Sequence, residues 1–113
     1  MSERGAVEVR AEILDGFWTR LRGLLGRPVP GAGEGVWITP CRQVHTLGMT
    51  YPIDVLHLDG AGRVLSTQTL RPWRLGRYVF AAVGVLELRS GEAARLGIEE
   101  GVSVRLIGLG RSC

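Results

Sequence analysis

The stretch IDVLHLDGAGRVLSTQTL, residues 53–70, decides the fold. Two apolar-rich runs, 53–58 and 63–70, flank the turn formers Asp59-Gly60-Ala61-Gly62. Extended runs joined by so short a connection predict a β-hairpin. Upstream, Val7, Val9, Ala11 and Ile13 alternate with Glu8, Arg10 and Glu12, the period of two expected of a strand with one wet face. Val36-Trp37-Ile38 opens a further extended segment that Pro40 ends, 79–89 reads as a largely buried strand interrupted by Gly84, and 103–107 reads as the last strand.

Two short helices complete the set. Asp15 is placed to cap FWTRLRGLLG, in which Phe17, Leu21, Leu24 and Leu25 share a stripe; Gly26 and Pro28 stop it. Ser90 is placed to cap GEAARL, which Gly97 ends. The fold class is α+β, mostly β: a curled antiparallel or mixed sheet, or a small barrel-like domain, with two short helices. Residues 1–113 fit a single domain with a core over about 6–107 and a frayed tail at 108–113.

Composition narrows the function classes. Hydrophobic residues make up 45% and charged residues 22%, an ordinary globular balance. All fourteen basic residues are arginine, and codon bias accounts for these and the seventeen glycines together. A net charge of +3 implies no dedicated nucleic-acid surface. Cys41 and Cys113 are too few for a disulfide framework and pair only if the tail folds back. The first ten residues hold no apolar signal core and no run is long enough to span a bilayer, which points to a cytoplasmic protein, monomeric by default.

Two segments could carry chemistry. In CRQVHTLGMTYPIDVLHLD, Cys41, His45 and His57 are acceptable zinc ligands that Asp54 or Cys113 could complete, but no C-x-x-C or H-x₃₋₅-H pair exists, so no metal and no cofactor are expected. Cys41 could act as a nucleophile with His45 as base and Asp54 orienting it; the competing reading makes Cys41 a small buried hydrophobe and His45 structural. Asp54 lies between Ile53 and Val55, so its carboxylate must meet donors such as Thr46, Thr50, backbone amides or Arg74. His57 reads as strand surface. In LRPWRLGRY, Arg71, Arg74 and Arg77 interleave with Trp73 and Tyr78, a composition able to grip anionic or aromatic groups; one such loop without a wider basic face reads first as an inward anchor, Trp73, with solvated arginines around it.

The order and spacing of four pieces resemble the prokaryotic family called domain of unknown function 192 (DUF192), over about 11–106. The pieces are R-x-R-G-L-L-G at 20–26, HTLGMTYPIDVLHLD at 45–59 followed by Gly62-Arg63-Val64, the Pro72-Trp73-Arg74 loop, and VLELRSGEAARLGIEEG at 85–101. Where many relatives have a W-M-x-N-T segment, this chain has H-T-L-G-M, a His-Thr variant. The resemblance implies a small β-rich domain with the 45–54 segment beside the Pro72-Trp73 loop, and supplies no catalytic residues.

The expectation is therefore a non-enzymatic module that binds a protein or small ligand. Its binding patch would combine His45, Thr46, Met49 and Asp54 with Trp73 and Arg74. A small Cys/His- or metal-dependent enzyme is the alternative, and nucleic-acid binding a weaker one.

Overall fold

The computed structural model describes residues 6–16 and 23–108. Its elements are β1 (Val7–Leu14), β2 (Glu34–Ile38), β3 (Ile53–Leu58), β4 (Val64–Leu70), β5 (Gly84–Arg89), helix α1 (Glu92–Leu96) and β6 (Val104–Gly108). They form one six-stranded sheet in the order β4-β3-β5-β2-β1-β6. β1 runs parallel to β2 and β6, and the other neighbours are antiparallel.

The 53–70 hairpin forms as expected, in register from Ile53↔Leu70 to His57↔Ser66, with a bulge before Leu58. Asp59 builds its turn: Oδ1 accepts from the amides of Ala61 and Arg63, each at 2.9 Å. Gly62 takes the positive φ of 84° that this turn needs. Arg63 sits just outside β4 and bridges to Ser103. Val64 N–H also donates to the Val102 carbonyl, and Val104 N–H to that of Gly62, both at 2.8 Å. These bonds draw the edge strands β4 and β6 together at one end. The sheet curls without closing into a barrel.

Both faces of the sheet are covered. One carries Val9, Ala11, Leu56, Leu58, Leu86 and Leu88, packed with Ala93 and Ile98 of the α1 region. The other carries Val36, Ile38, Ile53, Val55 and Val85 beneath Leu24, Val44 and Met49 from the loops. This double cover corrects two readings. Leu14, not Ile13, is the buried end of β1, with Ile13 40% exposed. His57 is fully buried rather than surface, because the loops close over its side of β3. Its Nε2–H donates to the Arg42 carbonyl at 3.0 Å, and burial lowers its pKa.

β5 begins at Gly84, later than the expected run from Val79. A Cβ on Gly84 would lie 2.4 Å from the Trp37 ring, so this glycine lets β5 lie close against β2. One short helix stands among the described residues. The expected helix over 17–26 falls mostly outside them, as does its capping by Asp15; the described part, 23–26, is turn. The tail beyond Gly108, including Cys113, also lies outside the described residues. The N-cap of α1 is Gly91 (φ 91°), not Ser90, and no side chain caps the helix from that position. Its amides are satisfied instead by Asp54, across the sheet.

Glu92, in the first turn of α1, is buried and ties the helix to the β2 approach. It accepts from the Gly33 amide at 2.5 Å and from Arg95 Nε at 2.9 Å. The hydrogen bond from Arg95 holds its carboxyl down to about 2, outweighing the opposing effect of burial.

Candidate functional site

Thr46 is fully buried and organises the loop that faces it. Its hydroxyl donates to the Arg71 carbonyl at 2.6 Å and accepts from the Arg74 amide at 2.8 Å. Its own amide donates to the Arg74 carbonyl at 2.8 Å, and its carbonyl accepts from Trp73 N–H at 2.9 Å. Four hydrogen bonds thus clamp residues 71–74 onto one threonine. A buried β-branched residue with a hydroxyl suits this place, since it packs in the core and still serves both a donor and an acceptor.

The clamp holds Trp73 in an unusual state. Its φ is +64°, the left-handed region, and it is the one non-glycine residue with positive φ among the described residues. A bulky residue in that region costs about 1–2 kcal/mol. The residue nevertheless remains 64% exposed, so little burial offsets the strain. The structure holds a large aromatic ring out in solvent on a fixed backbone.

Around Trp73 the surface is aromatic, apolar and basic. Leu75 is 68% exposed and Phe80 74%, and Leu47 and Tyr78 are exposed too. His45 bridges to Leu75 and turns its Nδ1 to the Leu47 amide at 3.1 Å. Residues 42–46 and 74–79 run together through bonds from Gly76 N–H to Val44 and Val79 N–H to Arg42. The Arg42 guanidinium lies 5.3 Å from the Phe80 ring centroid and donates to the Phe80 carbonyl through Nε at 2.8 Å. Beside them, a cleft of about 550 Å³ opens between 39–43 and the turn at 78–83.

The charge distribution sets this face apart. Residues 35–53 and 60–86 contain five arginines and neither Asp nor Glu. Among the described residues, Arg10, Arg27, Arg89, Arg95 and Arg105 each lie against a carboxylate. Arg42, Arg71, Arg74 and Arg77 meet none; where their bonds are defined they go to carbonyls and a serine hydroxyl, as from Arg77 Nη1 to Ser66 Oγ and the Thr67 carbonyl.

Of the six residues expected to form a patch, His45, Thr46, Trp73 and Arg74 come together. Met49 is core beneath them. Asp54 does not join them. Strand alternation sends its side chain to the α1 face, where it accepts from Thr69 Oγ1 at 2.8 Å and the amides of Gly91 and Ala93 at 3.1 and 3.0 Å. Backbone amides are thus its partners, with Thr69 in place of Thr46, Thr50 or Arg74. It borders a second cleft, of about 450 Å³, between β4 and α1.

The catalytic alternative places Asp54 behind His45 as its orienting group, and Asp54 is on the other face of the sheet; for zinc, Asp54 is likewise no fourth ligand, and Cys113 lies outside the described residues. The Cys41 thiol instead donates to the Gln43 carbonyl. No group of three or more metal-ligating side chains occurs among the described residues. Nothing local in the sequence marks Leu47, Leu75 and Phe80 as part of this face. The acid-free intervals were the available signal, and the reading of 79–89 as one buried strand concealed Phe80.

The fold and this face define a class: a small curled-sheet domain that displays one clamped, aromatic and basic loop surface. More particularly, the chain belongs to the DUF192 family, described as "Uncharacterized ACR, COG1430", whose pattern matches residues 1–106. Two solved structures share the fold. A protein of unknown function from Novosphingobium aromaticivorans DSM 12444 has a TM-score of 0.74 at 24% identity, covering 82% of this chain and 71% of that one. A protein from Sinorhizobium meliloti 1021, titled a "putative transcription regulator", has a TM-score of 0.71 at 20% identity, covering 82% and 78%. Nothing matches among curated proteins. No described helix is long and apolar enough to cross a membrane.

Proposed function

We propose that the protein is a non-enzymatic binding module whose recognition element is Trp73 on the Thr46-clamped loop, flanked by His45 and Arg74. The observation that carries this reading is the exposed indole on a left-handed backbone. Strain of this kind persists where surrounding structure enforces it, and it clusters at ligand clamps. A preset aromatic anchor also loses little conformational freedom on binding, which is why tryptophan and arginine dominate interface energetics.

The reading separates stability from function at one position. Glycine tolerates positive φ without penalty, so Trp73→Gly is expected to leave stability unchanged or raise it by about 1 kcal/mol. The same change should lower capture of the native partner from host lysate by about tenfold or more, and His45→Ala should weaken it as well. Glu99→Ala, on an exposed site by the other cleft, should not. Undiminished capture by a folded Trp73→Gly protein would remove Trp73 from recognition. Unfolding of that variant would make the residue a structural support.

A further inference from the structure

We infer that the partner of this face is an acidic polypeptide segment that inserts an apolar side chain into the cleft between 39–43 and 78–83. The inference rests on the binding-module reading and adds the chemistry of what is bound. Two independent features carry it.

The first is charge. Among the described residues, every arginine outside the acid-free intervals has a carboxylate neighbour, and Arg42, Arg71, Arg74 and Arg77 meet no described carboxylate. A guanidinium presents five N–H donors in a planar fork suited to bidentate carboxylate binding. Arg42 spends its Nε–H on the Phe80 carbonyl, which fixes its plane beside the aromatic ring. The acid-free intervals supply no carboxylate of their own, so the donors that these arginines do not spend on carbonyls or on Ser66 are left for carboxylates of a partner. Fields of one sign steer association and reject partners of like charge.

The second is shape. The cleft is walled by Pro40, Tyr78, Ala82 and Val83, with Arg42 and Gln43 among its polar lining. A volume of about 550 Å³ admits one or two large apolar side chains. Insertion into such a recess is what a polypeptide can do. A bilayer interface would meet the exposed rings but has nothing of defined shape to place in the cleft. A single-stranded nucleic acid would use the aromatic rings as stacking platforms, yet Leu47, Leu75 and Val83 offer it no plane to stack on. The mixture of aliphatic and aromatic residues with arginine matches an acidic segment with apolar anchors.

A random-peptide display library selected on the intact protein tests this directly. The expected peptides are enriched in Asp and Glu around one aromatic or branched aliphatic residue. Their binding should weaken with added salt, by about tenfold with Arg42→Glu, and by about as much with Val83→Trp, which plugs the recess. Arg10→Gln, remote from the face, should change nothing. Peptides without acidic enrichment, or an absence of selected peptides, overturn the inference. So does tighter binding to phosphatidylserine vesicles or to an oligothymidylate than to the selected peptides.

The two readings fail separately. If native capture depends on Trp73 while the selected peptides are not acidic, the binding module stands and the partner class falls. If acidic peptides bind through the cleft with full strength to Trp73→Gly, the cleft stands and Trp73 is not its anchor.

Discussion

Asp54→Ala is expected to destabilise the protein by about 3 kcal/mol without touching the recognition face. The carboxylate accepts three hydrogen bonds: Thr69 on β4, and the amides of Gly91 and Ala93 at the start of α1. It therefore joins three elements and acts as the helix cap that Ser90 does not supply. Loss of an N-cap alone costs about 1 kcal/mol, and hydrogen bonds to a charged group contribute about 1.5–3 kcal/mol each. Asp54→Asn should cost much less, about 1 kcal/mol. Its amide oxygen can still take the backbone donors, while its NH₂ donates to a Thr69 hydroxyl that has turned round. Urea unfolding of the three proteins provides the comparison. A loss below about 1 kcal/mol for alanine would mean that α1 does not depend on this cap. Peptide binding measured where the alanine variant is still folded should match the wild type, because Asp54 is on the opposite side of the sheet from Thr46.

The same residue shows how far the sequence could be read. A carboxylate inside an apolar strand had to find donors, and backbone amides were among the candidates. Nothing local told which side of the sheet those amides occupied. Pairing Asp54 with His45 assumed that nearness in sequence meant a shared face, whereas strand alternation separates Asp54 from its neighbours Ile53 and Val55. His57, which simple alternation puts on the surface, is buried for a related reason. A half-wet antiparallel strand alternates, but β3 is covered on both sides and is buried at all six positions. The hairpin was legible because the DGAG turn is a local signal. The left-handed backbone of Trp73 was not, since it depends on hydrogen bonds from Thr46, more than twenty residues away along the chain. Composition put arginine and aromatic residues on this loop but favoured an inward Trp73, whereas the residue is exposed. The extension of this face to Phe80 and Leu47 required the fold.

Glu87 supplies the other large effect, as a dependence of stability on pH. It sits in β5 among Val36, Ile38 and Val85, 3% exposed, and its Oε1 has no hydrogen-bond partner among the described residues. Burial raises its carboxyl from 4.5 to about 7, and the Leu24 N–H, which favours the ionised form, only partly opposes this. Below about pH 4.5 the folded and unfolded chains both hold this proton, so the contribution of Glu87 is then complete. As pH rises through about 7, the folded state must either ionise a buried carboxyl or keep a proton that the unfolded chain has already released. Stability attributable to Glu87 therefore falls over that window, by about 3 kcal/mol at 1.4 kcal/mol per pH unit. Glu87→Gln cannot ionise and should lack this slope. The stability of wild type minus that of the variant, from urea unfolding across the window, should drop with rising pH by the same amount, in which the common effects of Glu92 and His57 cancel. The amide of glutamine has its own unmet donors in so dry a place, so the crossing point of the two curves is set by that cost, while the slope between them belongs to Glu87 alone. Parallel curves would mean that the buried carboxyl is ionised throughout, held by a donor close enough to offset its desolvation.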